Sequence, residues 1–550
     1  MARGILVSYG GYPYTTSSLM PDNGLANLLG SLFQSGHSGI AMDYGTVDTI
    51  RRLVPAEISG QLKELYRQFG NLSKDNSQEA LNKKQEIVRQ LRKIDSLLSE
   101  HQTVEVKKIG EELSDLVRME HADFVGFKIY TGDAYLGSVE MAKVLKKNHP
   151  SLKIYAGGPT IDIMMQTILK DTNVFDVLAF AEGEEIIVNL AEFAEGKGSL
   201  NFPNIIRSDG TQTELKRVED LNSMPFPLYH EEVYPSMKGN QKLKIMMLDE
   251  SRGCPNVCNF CAQPIKSGKQ RVKNPERVFS EIEYLIDACN SRALRFAGSS
   301  TPIKLTRAVA DKILEKNLKV IYSGFGHVRE SDEDFHVLRR SGLLALLFGV
   351  ESGSQKILDA LNKANKVEQI EYAFKVTKEA GIFRVGSIIL PAPYDTQETM
   401  EETFNFILKI RPDSVFILPP GIFPRTPWAV NPKRFGLEID MENEHYKEFF
   451  LKYKLKTLFP PSLWEPLPYK VNGMGYPEYS RITEKFAERL ESNGIVTRLT
   501  DDILIMADVL RKDVMEFKRQ CSEFVYTGNH RELYNTIEDF NKAVGRQNAR

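Results

Sequence analysis

Three cysteines, Cys254, Cys258 and Cys261, fall within eight residues in the spacing C-x3-C-x2-C. Thiolates this close either converge on one soft metal centre or stay as free thiols. A structural zinc site takes four ligands, and no fourth Cys or His lies nearby. An iron–sulfur cluster is held by thiolates, and a [4Fe–4S] cluster held by three of them leaves one iron open to a substrate or cofactor. The apolar run Ile245-Met246-Met247-Leu248 just upstream reads as a buried strand, and Arg252-Gly253-Cys254-Pro255 as the loop leaving it.

With Phe260 before the last cysteine, the motif resembles the radical SAM family signature. The resemblance implies a [4Fe–4S] cluster whose open iron is chelated by S-adenosylmethionine through its amino and carboxylate groups. An electron from an external flavodoxin- or ferredoxin-type donor would then split the sulfonium to a 5′-deoxyadenosyl radical. Phe260 would seat the adenine through its backbone. Gly349-Val350-Glu351-Ser352-Gly353 matches the family's Gly-x-Glu-Ser-Gly pattern, which puts Glu351 and Ser352 near the methionine or ribose end of SAM. A carboxylate there suits an ammonium or two hydroxyls; the bland alternative is a glutamate capping the next helix. Ile389, in Ile388-Ile389-Leu390-Pro391, would flank adenine. Many members carry Gly-Gly-Glu after the second barrel strand, but this chain has Ala297-Gly298-Ser299-Ser300, leaving Gly298 and Ser299 to hold the amino group. Which S–C bond breaks is therefore open.

The elements that must position these residues divide the chain. Residues 1–200 alternate strands (4–9, 40–45, 124–129, 153–157, 177–180) with helices, which implies a parallel, Rossmann-like doubly wound sheet with its ligand at the C-terminal edge. Ala156-Gly157-Gly158-Pro159, followed by Glu182-Gly183-Glu184, resembles the cobalamin-binding domain of the B12-dependent radical SAM subgroup; the alternative is a Rossmann-like domain that only packs on its neighbour. The chain lacks the Asp-x-His-x-x-Gly pattern, so cobalamin is expected base-off with no histidine on cobalt. Tyr9, Tyr12, Tyr130 and Asp133 are placed near it by their predicted strand-end positions, beside Gly157, Gly158, Pro159, Glu182 and Gly183.

Residues 55–120 form an insertion. Leu62/Leu65/Phe69/Leu72, Ile87/Leu91/Ile94/Leu98 and Ile109/Leu113/Leu116 recur at helical spacing and predict two or three amphipathic helices, either a packed hairpin or a partner surface. Residues 201–240 read as a linker. Six strand signals within 241–430 fit the partial (β/α)6 barrel of the radical SAM family, with active residues at the C-terminal strand ends. His327, Arg329, Tyr394 and Arg425 lie just beyond such strands as substrate-contact candidates, each more readily structural. Residues 431–550 are mainly helical and, by analogy, a substrate cap.

Composition restricts the partners. At 550 residues the chain needs several domains. A net charge of −2 favours neither nucleic acid nor an anionic membrane. Cys289 and Cys521 are too far apart in sequence to suggest a disulfide framework, no signal-peptide core opens the chain, and no apolar run spans a membrane. A reducing, cytoplasmic setting is expected. The resemblance as a whole implies a cobalamin-dependent methyltransferase acting on an unactivated carbon of a small-molecule or peptide substrate. The rivals are another radical outcome (rearrangement, cyclisation or oxidation), aminocarboxypropyl transfer from SAM, and a non-catalytic cobalamin or Fe–S sensor.

Overall fold

The computed structural model describes residues 1–72, 77–300, 302–326, 328, 332–454, 459 and 461–545. Two six-stranded sheets organise it. The first is built from β1 (Arg3–Ser8), β2 (Ser38–Asp43), β3 (Phe124–Lys128), β4 (Lys153–Gly157), β5 (Val177–Ala179) and β6 (Ile205–Arg207), in the order β2-β1-β3-β4-β5-β6. All pairs are parallel except β5–β6. Strand order reverses around β1, and the cleft between β1 and β3 is where a doubly wound sheet takes its ligand. Its strands are apolar on both faces because helices cover both: Leu6 meets Leu25, Leu29 and Leu190, while Ile5 and Val7 meet Ile109, Met141 and Leu145.

The second sheet contains β7 (Ile245–Leu248), β10 (Ala293–Phe296), β11 (Ile321–Phe325), β12 (Leu343–Glu351), β13 (Phe383–Ile389) and β14 (Ser414–Leu418). They run parallel in chain order from β7 to β14, as expected for a partial barrel. A two-residue antiparallel ribbon, β8 (Ser251–Arg252) with β9 (Arg271–Val272), interrupts the path from β7 to β10 and carries the cysteines.

Two features differ from the sequence-based expectation. Within 201–240, Ile205-Ile206 completes the first sheet as β6, and Tyr234 buries its hydroxyl on Asp43 at 2.6 Å; a three-residue strand is too short to show a period. The insertion agrees with the expectation of two or three helices: it is two, Ala56–Leu72 and the unbroken Gln78–Glu120, the latter capped where Ser77 Oγ accepts the Ala80 amide at 3.2 Å. It packs on helices Asp133–Asn148 and Val514–Thr527, which ties the first domain to the C-terminal region. The C-terminal helices, finally, do not all approach the barrel mouth. Helix Asp501–Leu510 sits at the strand starts, where Ile503, Leu504 and Ala507 share a core with Ile245, Ala293, Ala345 and Val385.

That lower plug is fixed by charge as well as by apolar burial. Asp501 meets Arg295 Nε at 3.1 Å and accepts from Ser323 Oγ at 2.6 Å, while Asp502 accepts from Thr16 and Ser17 of the first domain. Asp501→Ala is expected to cost about 3 kcal/mol by leaving Arg295 unpaired. The cost stays at the low end of that range because burial already raises the Asp501 pKa against the pull of Arg295. Thermal melting of the purified variant checks this, with Asp501→Asn expected to lose less. Among the described residues no helix is long and apolar enough to cross a membrane.

Candidate functional site

The cysteine loop is forced into shape by Gly253. Its φ is +83°, and a Cβ there would lie 2.2 Å from the Lys269 carbonyl oxygen. The loop is pinned where Cys254 N–H donates to Gly268 O and Cys261 N–H to Cys258 O, both at 3.2 Å. Cys254, Cys258 and Cys261 then open on one cavity of about 260 Å3 at the barrel mouth. They share it without converging on a point: among the described residues no three His, Cys, Asp or Glu side chains could hold a single ion. Burial pushes the Cys258 thiol up to about 11 and also raises Cys261, so both stay protonated until a metal centre displaces the protons. Three soft donors, with no fourth beside them among the described residues, fit a thiolate-held iron–sulfur cluster.

Phe260, Ser299, Ser300 and Glu351 line the same cavity, with Leu347, Val385 and Phe416 as apolar wall. Glu351 is buried at φ +66°, where the register of β12 on β13 slips between Gly349 and Glu351. A non-glycine residue in that region costs on the order of 1–3 kcal/mol, and here the bulge turns the carboxylate inward. Lys363 Nζ meets it at 3.0 Å. Burial works against the Lys363 charge, yet the Glu351 carboxylate beside it outweighs burial and holds its pKa above the ordinary lysine value. Nothing in Asn362-Lys363-Ala364-Asn365 marked this lysine; only the fold brings it beside the cysteines.

Other predicted SAM contacts lie just behind the cavity. Ser352 shares a hydrogen bond with Thr403 Oγ1 at 3.0 Å and accepts from Ser354 N–H at 3.1 Å, so it organises the loop after β12. Ile389 packs into an aromatic cluster that includes Trp428 and Tyr469, and Trp428 in turn packs on Phe260 with ring centroids 5.7 Å apart. Gly298 donates its N–H to Glu250 Oε2 at 3.1 Å, and a Cβ at 298 would sit 2.1 Å from Glu250 Oε1. The loop lacking its own acid thus rests on a carboxylate from the end of the first barrel strand.

Glu250 is fully buried, and burial, the largest influence, pushes its pKa up to about 7. A raised carboxyl pKa means that the folded state binds the proton more tightly. The stabilisation is complete below the ordinary glutamate value and is lost as pH rises through about 7. Glu250→Gln, which cannot ionise, is therefore expected to be more stable than the parent at pH 8 by up to about 3 kcal/mol, with the gap closing towards pH 4. Melting curves of the two apoproteins across that range check it; curves that stay parallel contradict it.

Of the substrate-contact candidates, Tyr394 and Arg425 do not line this cavity. Tyr394 is exposed, donating its hydroxyl to the Arg434 carbonyl and its N–H to Asn472 at 2.8 Å. The Arg425 guanidinium donates to the Asp162 carbonyl, a bond from barrel to first domain. His327 and Arg329 lie outside the described residues.

A second cavity, of about 170 Å3, lies at the C-terminal edge of the first sheet, between helices Asn23–Gln34 and Gly183–Ala194. Gly157, Gly158 and Gly183 line it with Leu25, Leu28 and Leu190, and no lining residue is a histidine. Gly158 has φ +99°, and a Cβ at Gly183 would press on Leu28 at 2.9 Å. Backbone this bare with leucine walls accommodates a flat, largely apolar ring. At its rim Lys128 meets Asp22 at 2.7 Å, and Asp22 also accepts from Ser8 and Tyr130. Pro159 begins the adjoining helix Pro159–Met164.

The remaining sheet-edge candidates are engaged elsewhere. Tyr9 is buried against Gly137 of helix Asp133–Asn148, and Tyr12 donates to the Val525 carbonyl at 2.6 Å. Asp133 pairs with Lys454 at 2.8 Å, and Glu182 with Arg271 at 2.7 Å. A strand-end position predicts proximity to the sheet edge, but here the helices Asp133–Asn148 and Val514–Thr527 pack there and take both tyrosines into their interfaces.

Residues 251–407 match the Radical SAM superfamily. A curated relative, an uncharacterized methyltransferase of Pyrococcus horikoshii, is 24% identical over 310 residues, 54% of this chain and 67% of its own. The anaerobic magnesium-protoporphyrin IX monomethyl ester cyclase of Cereibacter sphaeroides is 25% identical over 62% of this chain. This chain spans little more than half of that cyclase, 57%. Among solved structures, the radical S-adenosylmethionine methyltransferase TsrM of Kitasatospora setae, with cobalamin and a [4Fe–4S] cluster bound, superposes with a TM-score of 0.63. That match covers 97% of this chain and 100% of TsrM at 13% identity. Residues 251–407 are thus a Radical SAM domain, set in a chain that shares its fold from end to end with a cobalamin-bound radical SAM methyltransferase.

Proposed function

We propose that the protein is a cobalamin-dependent radical SAM methyltransferase that places a methyl group on an unactivated carbon of a small-molecule or peptide substrate. The observation that carries this reading is the pairing of two cavities: one at the barrel mouth with three thiols, one at the sheet edge lined by glycines. When bound, the cluster with S-adenosylmethionine supplies hydrogen-abstracting power, and cobalamin supplies a transferable methyl group.

The chain's own residues bind, orient and shield. Cys254, Cys258 and Cys261 hold the cluster. Lys363 and Glu351 offer a cation and a carboxylate side by side, complementary to the two charges of an amino-acid end group. Phe260 backs the same ligand, Ser299 and Ser300 give it hydroxyl partners, and the wall of Leu347, Val385 and Phe416 keeps water from it. Gly157, Gly158 and Gly183 would let a ring lie against backbone, and that lining offers no histidine to ligate cobalt. The reducing electron comes from an external flavodoxin- or ferredoxin-type partner. Residues 1–200 serve as the cobalamin domain and 241–430 as the radical domain, with those residues of 435–479 that pack with Ile389 and Trp428 completing the enclosure.

The test is anaerobic turnover of SAM by the reconstituted protein with a strong reductant and candidate substrates. Methyl transfer by this route yields both 5′-deoxyadenosine and S-adenosylhomocysteine with a methylated product. 5′-Deoxyadenosine alone indicates a different radical outcome, 5′-methylthioadenosine indicates aminocarboxypropyl transfer, and no SAM consumption indicates a sensor.

A further inference from the structure

The two cavities are joined by charge. The ribbon that delivers Cys254 sets Arg252 directly opposite Arg271. Facing it are the loop leaving β5 and the first turn of the helix that follows. There Glu182 engages Arg271 at two points, 2.7 and 2.9 Å, and Glu184 engages Arg252 at 2.5 and 3.2 Å. Arg252 also donates to Asp249 at 2.6 Å, and Asp249 accepts from Asn27 at 3.3 Å. Asn27 lies on helix Asn23–Gln34 and Glu184 on helix Gly183–Ala194, the two helical walls of the sheet-edge cavity. Both walls therefore reach Arg252. Arg252 lines neither cavity and stands two positions before Cys254.

The side chains of Glu184, Arg252 and Asp249 are only 9, 13 and 19% exposed. A planar guanidinium gripped on two sides fixes direction as well as distance, which a single point charge does not. We propose that Arg252 is a positioning residue that couples the sheet-edge cavity to the cysteine loop. A ligand seated in the cavity steadies its helical walls, the walls steady Glu184 and Asp249, and these hold the ribbon that carries Cys254. The inference rests on the reading that this cavity takes cobalamin. Because coupling between binding events is reciprocal, a loaded cluster also tightens cobalamin binding.

The experiment uses the full chain, reconstituted with iron and sulfide under anaerobic conditions, with hydroxocobalamin as the probe. Its readouts are the rate at which a chelator removes iron and the Mössbauer line shape of the oxidised cluster. Bound cobalamin is expected to slow iron removal about tenfold, an ordinary degree of coupling between two sites, and to alter the line shape. In Arg252→Gln, iron loads and cobalamin binds by absorbance titration, but neither readout responds to cobalamin. Arg252→Lys restores part of the response, which a merely structural role does not predict. If Arg252→Gln fails to load iron, Arg252→Lys decides, a partial response supporting the inference and a full one overturning it. Cobalamin that binds the parent without changing either readout, or a full response in Arg252→Gln, overturns the inference and leaves the functional reading standing. A parent that binds no cobalamin overturns both.

Discussion

Replacing Cys258 by alanine is expected to leave a folded, colourless protein that neither retains iron nor cleaves SAM. The three thiols share one cavity, and the other two cysteines cannot deputise. Cys289 is buried at the end of helix Pro275–Cys289, and Cys521 is buried in helix Val514–Thr527. Burial holds both of their thiols well above the ordinary range. Removing one of three thiolates leaves the cluster without a complete protein shell. The rate of SAM cleavage should fall by roughly a millionfold or more, the scale that separates enzymes from uncatalysed background. Iron analysis and 5′-deoxyadenosine assay check this, with Cys289→Ala as the control that keeps both. A Cys258→Ala protein that holds a normal complement of iron contradicts the assignment.

Gly157→Leu addresses the other cavity. Gly157 has an ordinary negative φ, and the nearest atoms to a Cβ there are in van der Waals contact at 3.6 Å, so the backbone tolerates a side chain. The four added carbons then occupy space that the cavity otherwise offers to a ligand. Overfilling a packed space costs about 1–3 kcal/mol, which here is taken from binding and weakens cobalamin roughly 5- to 150-fold. Iron loading should be unaffected, because β4 and the cysteine loop lie in different sheets. Gly158→Leu is a poorer test, since φ +99° there strains any other residue whether or not a ligand binds. Absorbance titration of iron-loaded Gly157→Leu with hydroxocobalamin checks the prediction, and parental affinity contradicts it.

The legible and illegible parts of the sequence divide along physical lines. Long strands buried on both faces, such as β12 and β13, announce themselves as unbroken apolar runs, and the alternation of strand and helix follows from them. The cysteines and Glu351 were legible because their spacing or motif is local. Lys363, Glu250 and the Asp22–Lys128 pair were not, because each becomes significant only through a partner brought by the fold. Lys363 and Glu351 stand twelve residues apart with a helix between them. Glu250 and Gly298 come from the ends of neighbouring strands, 48 residues apart. Tyr9 and Tyr12 show the converse error. Their positions near a strand end pointed to a ligand, but the Gly137 surface and the Val525 carbonyl take them up first. The unbroken helix Gln78–Glu120 was also obscured, since its apolar positions change partners along its length and read as separate elements.

The two-cavity account is tested most directly by metal analysis of the anaerobically reconstituted full chain after incubation with hydroxocobalamin and removal of excess. The account predicts about four irons and about one cobalt per chain, with a cobalamin spectrum of the base-off form. Iron without cobalt would contradict it, leaving a Radical SAM domain beside a sheet whose glycine-lined cavity serves some other ligand.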